Sequence, residues 1–251
     1  MNASRFSEIF RYYFFIAALI STSTLFSARA GMGQTSAKSQ PNNYVVSVQE
    51  LKMAGKGHAA FDKGSQLLEK GETAKSVAYL QQAIADYPEH YKAYYDLGVA
   101  QYRLSHLEEA EQAFQRAIDI TKGNFAPPQF GLGAILCQKS EFPQAESLLQ
   151  RALDLDPGSA VGKYYLAWAQ FGLNRLAEAE RTLEQALLRN QKLAEAYLLL
   201  ARVHQRQRNV PAVTRDLEFY VKLEPHKEQA KSWVAQIEHE IGLDAVATAT
   251  P

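Results

Sequence analysis

The chain has 251 residues, 47% hydrophobic and 22% charged, with a formal net charge of zero and one cysteine. This is a globular composition with room for one or two domains, and zero charge gives no electrostatic reason to expect nucleic acid or an anionic membrane surface as partner. A single cysteine excludes an intrachain disulfide and a cysteine-based zinc site.

Arg5 and Arg11 precede the apolar run Tyr12 to Phe26, and Ala28 and Ala30 follow it as an Ala-x-Ala pattern. Residues 1–30 therefore read as a secretory signal peptide. As a helix the run would be about 22 Å long, short of the roughly 30 Å of a hydrocarbon core. The alternatives are an uncleaved N-terminal anchor and an organelle transit peptide, the latter disfavoured by Glu8 and by the uninterrupted apolar centre. Cleavage places the mature chain in the periplasm or outside the cell; a membrane is a partner only if this segment stays attached. Residues 31–56 have linker composition and are expected to be disordered, apart from Tyr44 to Leu51, which suits a short extended segment lying on the helices that follow.

From residue 57 the sequence repeats itself. YDLGVAQYRLSHLEEAEQAFQRAIDI returns in altered form as YYLAWAQFGLNRLAEAERTLEQALLR, and 34-residue units run over 57–90, 91–124, 126–159, 160–193 and 194–227, with Phe125 as one inserted residue. A fixed period of this length is the mark of a solenoid. The eighth position of each unit holds Gly64, Gly98, Gly133, Ala167 and Ala201. Glycine inside a helix costs about 1 kcal/mol relative to alanine, so a small residue recurring there marks a close approach of two backbones. The second half of the first four units keeps a small residue at Ala83, Ala117, Ala152 and Ala186, where the fifth has Tyr220, with Leu80, Phe114, Leu149, Leu183 and Leu217 at the bulky position of all five. Pro88, Pro127, Pro128, Pro143, Pro157, Pro211 and Pro225 all fall at the predicted helix boundaries, where a missing N–H does no harm.

This pattern resembles the tetratricopeptide repeat family over residues 57–227. The resemblance implies an all-α fold: a right-handed superhelical solenoid of five helix pairs. Residues 228–243, with Ala230, Trp233, Val234, Ile237 and Ile241 at helical spacing, would form a C-terminal capping helix, and 244–251 a disordered tail.

No constellation points to catalysis, a cofactor or a metal. The six histidines are scattered and read as surface residues, and no pair has the spacing of a helical zinc site. Gly131 and Gly133 lack the lysine and the preceding strand of a phosphate loop. Cys137 has no histidine at helical spacing, so a buried or groove-lining thiol is the better reading than a nucleophile. Glu108 and Glu109 sit in the first turn of a helix, where acids suit the dipole.

In the family, a second stripe on each first helix lines a concave groove that holds a partner segment. Carried onto this chain it gives Phe61; Tyr95, Val99, Tyr102 and Arg103; Phe130; Tyr164, Trp168 and Phe171; and Arg202 and Arg206, the last two at i, i+4 spacing suited to a carboxylate. The rings either thicken the core or stay partly exposed as anchors. Positions that carry lysine and asparagine in the chaperone-tail clamp of some members hold Phe61, Tyr95 and Val99, so that activity is not implied. The expected function is a non-catalytic scaffold binding a protein or peptide segment in an aromatic groove. The alternative is a structural or assembly factor that self-associates through its convex face or end helix.

Overall fold

The computed structural model describes residues 48–224 and His239. The expected signal peptide, the linker as far as residue 47, the capping helix apart from His239 and the tail lie outside the described residues. Among the described residues ten helices follow one another: α1 (Val48–Glu69), α2 (Thr73–Asp86), α3 (Tyr91–Arg103), α4 (Leu107–Ile120), α5 (Ala126–Gln138), α6 (Phe142–Leu155), α7 (Ala160–Gly172), α8 (Leu176–Arg189), α9 (Ala194–Arg206) and α10 (Val210–Leu223). They form two compact units, one ending at Leu132 and the other starting at Gly133, so that α5 contributes to both. In each unit, helices adjacent in sequence pack as consecutive pairs.

One expectation needs correction here. Val48 to Leu51 are not extended, and residues 48–56 are not a disordered linker, because α1 runs unbroken from Val48. No proline interrupts that stretch. Gly57 is packed tightly: a Cβ there would lie 3.1 Å from Tyr87 Cβ and 3.2 Å from the Ala83 carbonyl oxygen.

Three side chains cap helix starts: His90 Nδ1 accepts the Ala93 N–H at 3.3 Å, Ser159 Oγ the Gly162 N–H at 3.0 Å, and Asn209 Oδ1 the Ala212 N–H at 3.4 Å. Pro143 and Pro211 stand in the first turns of α6 and α10.

The turn inside each pair is built the same way five times. Gly71, Ser105, Ser140, Asn174 and Arg208 occupy one repeat position, and all have φ between 60° and 78°. Each N–H returns to the carbonyl three residues back, and the next N–H reaches five back, as in Ser105 N to Tyr102 O (3.0 Å) and His106 N to Gln101 O (2.9 Å). This is the Schellman arrangement, which satisfies the last carbonyls of the first helix. Only one of the five carries glycine; the others accept a left-handed backbone that costs roughly 1–2 kcal/mol.

The small residue at position eight is the close approach. A Cβ on Gly98 would come within 2.6 Å of the Phe114 ring, and one on Gly131 within 2.5 Å of the same ring, so Phe114 is held between two glycines. Gly64 meets Leu80 and Gly133 meets Leu149 in the same relation. Leu80, Leu149, Leu183 and the alanines at 83, 110, 117, 145, 152, 179 and 186 are completely buried. Each buried leucine contributes roughly 1.5–3 kcal/mol relative to exposure.

Candidate functional site

The stripe predicted to line a groove divides by unit. In the first, α1 and α3 lie side by side, tied by two hydrogen bonds: Ser65 Oγ donates to Asp96 Oδ2, and Arg103 Nη1 donates to the Leu68 carbonyl at 2.9 Å. Phe61, Tyr95, Val99, Tyr102 and Arg103 are all half-buried. Phe61 and Val99 rest on the buried cluster of Leu68, Leu80 and Ala100. The Tyr95 ring lies 6.1 Å from Phe114 and 5.9 Å, edge to face, from Phe125. Phe125 also meets Tyr91 edge to face at 5.2 Å, and Lys92 Nζ stands 6.0 Å from the Tyr91 ring centroid. The residue that the period shows only as an insertion thus closes a cluster of rings. Desolvation, helped by the Asp96 charge, pushes the Tyr95 phenol up to about 12, so it stays a neutral donor. Phe130 is buried and belongs to the core.

In the second unit the expectation of an aromatic anchor surface fails. Tyr164, Trp168 and Phe171 are 4%, 1% and 5% exposed, so they are core rather than groove. The reason is spacing: core and groove stripes both recur at i, i+3, i+4, and only the packing of neighbouring pairs separates them. Arg206 is exposed. Its guanidinium lies 3.9 Å from the Phe171 ring centroid and donates from Nη1 to the Phe171 carbonyl at 3.2 Å. Arg202 is half-buried.

Arg103 and Arg206 hold one repeat position and do one thing. Leu68 O already accepts the Gly71 N–H, and Phe171 O the Asn174 N–H, so each arginine takes the second lone pair of a turn carbonyl in the preceding repeat. Both tie one repeat to the one before it, whatever else their remaining N–H groups contact.

Among the described residues, two histidines are not surface residues. His90 is buried, with Phe61 at 4.6 Å and His58 at 5.1 Å between ring centroids, and burial holds its pKa below the ordinary imidazole value. His204, 3% exposed, places Nδ1 2.6 Å from Asp216 Oδ2 and Nε2 3.1 Å from Glu180 Oε1. Gln207 Nε2 donates to the other Glu180 oxygen at 2.8 Å, and Arg215 reaches Asp216 Oδ1 at 3.0 Å. The hydrogen bond from Gln207, with the histidine beside it, lowers the Glu180 carboxyl. This polar seam joins α8, α9 and α10. The sequence signal for it is a polar residue on an apolar face: Gln101, Gln170 and His204 share one repeat position, and each bonds a side chain outside its own helix. Cys137 is buried, and desolvation pushes its thiol far up, away from nucleophilic use. Among the described residues no group of three histidine, cysteine or carboxylate side chains is arranged to hold a metal ion, and no helix is long and apolar enough to cross a membrane.

Asp96 is the group that the sequence reading missed in the candidate site. It is 7% exposed, and among the described residues its one hydrogen bond comes from Ser65. Burial raises its pKa from 3.8 to about 6, against the smaller opposing effects of Ser65, Arg103 and Lys92, with Glu69 adding to the rise. The folded state thus holds this proton more tightly than the unfolded chain, so the stability that this one group contributes is fully present below about pH 4 and is lost as pH rises through about 6. That difference corresponds to about 3 kcal/mol at neutral pH. Asp96→Asn keeps an oxygen for Ser65 and removes the buried charge. Hydrogen exchange of α1 and α3 amides is expected to show greater protection in the variant at pH 7.5 and no gain at pH 4.

Two family profiles, both described as "Tetratricopeptide repeat", match residues 61–125 and 137–210. Among solved structures, TTC0263 from Thermus thermophilus, a thermophilic tetratricopeptide protein, superposes with a TM-score of 0.63 at 17% identity over 72% of this chain and 98% of its own. MamA from Desulfovibrio magneticus gives 0.56 at 17% identity, covering 70% of this chain and 99% of that one. YrrB, described as a tetratricopeptide protein with an unusual peptide-binding site, gives 0.52 at 17% identity over 74% and 94%. No curated protein sequence matches the chain. With the two matched segments covering more than half of the chain, and the same close approach and the same turn recurring from pair to pair, the protein belongs to the tetratricopeptide repeat family.

Proposed function

We propose that this member of a family of protein-interaction scaffolds binds an extended or helical protein segment across the α1 and α3 face of its first unit. The observation that carries this reading is the partly buried row of Phe61, Tyr95, Val99 and Tyr102, none of them fully enclosed, backed by Phe125. Rings held partly open by packed neighbours offer apolar area at little entropic cost to a partner. That the similarly folded YrrB is described as having an unusual peptide-binding site supports peptide recognition in general. In this reading residues 1–30 direct export, and the scaffold works in the periplasm or outside the cell without catalysing a reaction.

The test replaces Val99 by a photo-crosslinking amino acid in the full chain, in its native envelope. A discrete partner adduct is expected, and mass spectrometry of the recovered chain is expected to give Gly31 as its first residue. Adding Tyr95→Ala and Tyr102→Ala is expected to weaken capture on the order of tenfold to a hundredfold. An adduct unaffected by losing both rings removes the face from consideration. An adduct with a second copy of the chain favours the self-association alternative.

A further inference from the structure

We infer that the segment bound on the α1 and α3 face presents a basic side chain, lysine or arginine, to Asp96. The inference rests on the proposed use of that face and adds the chemistry of its partner. A carboxylate has about four acceptor positions, and among the described residues Asp96 uses one, for Ser65. So few bonds are unusual for a side chain this buried. The charged groups around it do not fill the remaining positions. Arg103 lowers the Asp96 pKa by its charge but directs its Nη1 hydrogen bond to the Leu68 carbonyl, and Lys92 is exposed beside the Tyr91 ring. Glu69 on α1 is a further negative charge, which raises the Asp96 pKa, and Tyr95 beside it stays neutral.

A partner that covers Phe61, Tyr95, Val99 and Tyr102 would remove the small solvent exposure that Asp96 retains, 7%. An apolar or acidic segment would then strand a buried charge or force a proton onto it, which penalises the complex at neutral pH. A guanidinium or ammonium group supplies the missing donors instead, in a charge-assisted bond, with tyrosine faces nearby for its planar or methylene part. The same arrangement selects for one class of partner and against the others. It also couples binding to acidity: with the Asp96 pKa raised to about 6, the anionic form that a cation needs predominates above that pH.

The test uses the full mature chain and three fluorescein-labelled peptides that share one tyrosine- and leucine-containing sequence and differ at a central position, arginine, leucine or glutamate. Fluorescence anisotropy at pH 7.5 is expected to rank arginine about tenfold above leucine, with glutamate weakest. Asp96→Asn is expected to erase the difference between arginine and leucine, and lowering the wild type to pH 5 to reduce it. An arginine preference that survives in Asp96→Asn overturns the inference, as does equal affinity for the arginine and leucine peptides. If Tyr95→Ala with Tyr102→Ala weakens both of those peptides equally while no arginine preference exists, the face binds partners and only the basic requirement fails. If the ring substitutions change nothing, or no peptide binds, the face itself is not the site and both readings fall.

Discussion

Phe114→Ala is expected to destabilise the first unit by about 3–5 kcal/mol, the range for emptying a fully enclosed aromatic site. The ring is 2% exposed and lies against glycine backbone on two sides, Gly98 on α3 and Gly131 on α5. Backbone cannot move inward as a side chain can, so the cavity would stay open. The reverse substitution identifies the cause. Gly98→Ala should gain about 1 kcal/mol from helix propensity, yet its Cβ would lie 2.6 Å from the ring, so a net loss of stability is expected. In a Phe114→Leu background the same alanine should cost less, because leucine leaves the space. Urea unfolding of the four chains checks this, and additive effects of Gly98→Ala and Phe114→Leu would refute the contact. The effect reaches the candidate site, since Tyr95 rests on the Phe114 ring. Phe114→Ala should therefore weaken partner capture even though Phe114 is out of a partner's reach.

The second large effect is expected at Asp216→Leu, at about 3–5 kcal/mol, because it strands a buried partner. Asp216 is 2% exposed, and its loss leaves His204 Nδ1 without an acceptor in the interior. Replacing both residues, His204→Leu with Asp216→Leu, removes the need for an acceptor and should recover most of the stability. Hydrogen exchange in α9 and α10 resolves the comparison. A double variant as unstable as the single one would show that packing shape, not the stranded group, sets the cost.

The helix pairs were legible because their requirements are local and repeated. Gly98 had to be a close approach since nothing else justifies a glycine in mid-helix, and Pro143 and Pro211 could stand only at helix starts. The site was less legible. Tyr95 and Trp168 hold related positions in the sequence pattern, yet one stays half-open and the other is 1% exposed. Their difference comes from what stacks on each helix, which a period does not record. Arg103 and Arg206 looked like groove cations because their formal charge is visible in sequence, whereas the carbonyl lone pairs they satisfy are not. Asp96 gave the weakest sign of all, one acid on a helix already rich in polar residues, and its meaning came from burial with a single hydrogen bond among the described residues.

The left-handed turn inside each pair has a further consequence for how such a chain can change. Its two backbone bonds span a stretch of fixed length and nearly arbitrary side chains, as Gly71, Ser105, Ser140, Asn174 and Arg208 illustrate. An extra residue within that stretch would rotate the second helix by about 100° relative to the first and turn its alanine and leucine face toward water. An extra residue between pairs leaves every such turn intact, and Phe125 is one that the protein has kept. The array can therefore lengthen or drift at its joints while the reading frame inside each hairpin is locked by the main chain.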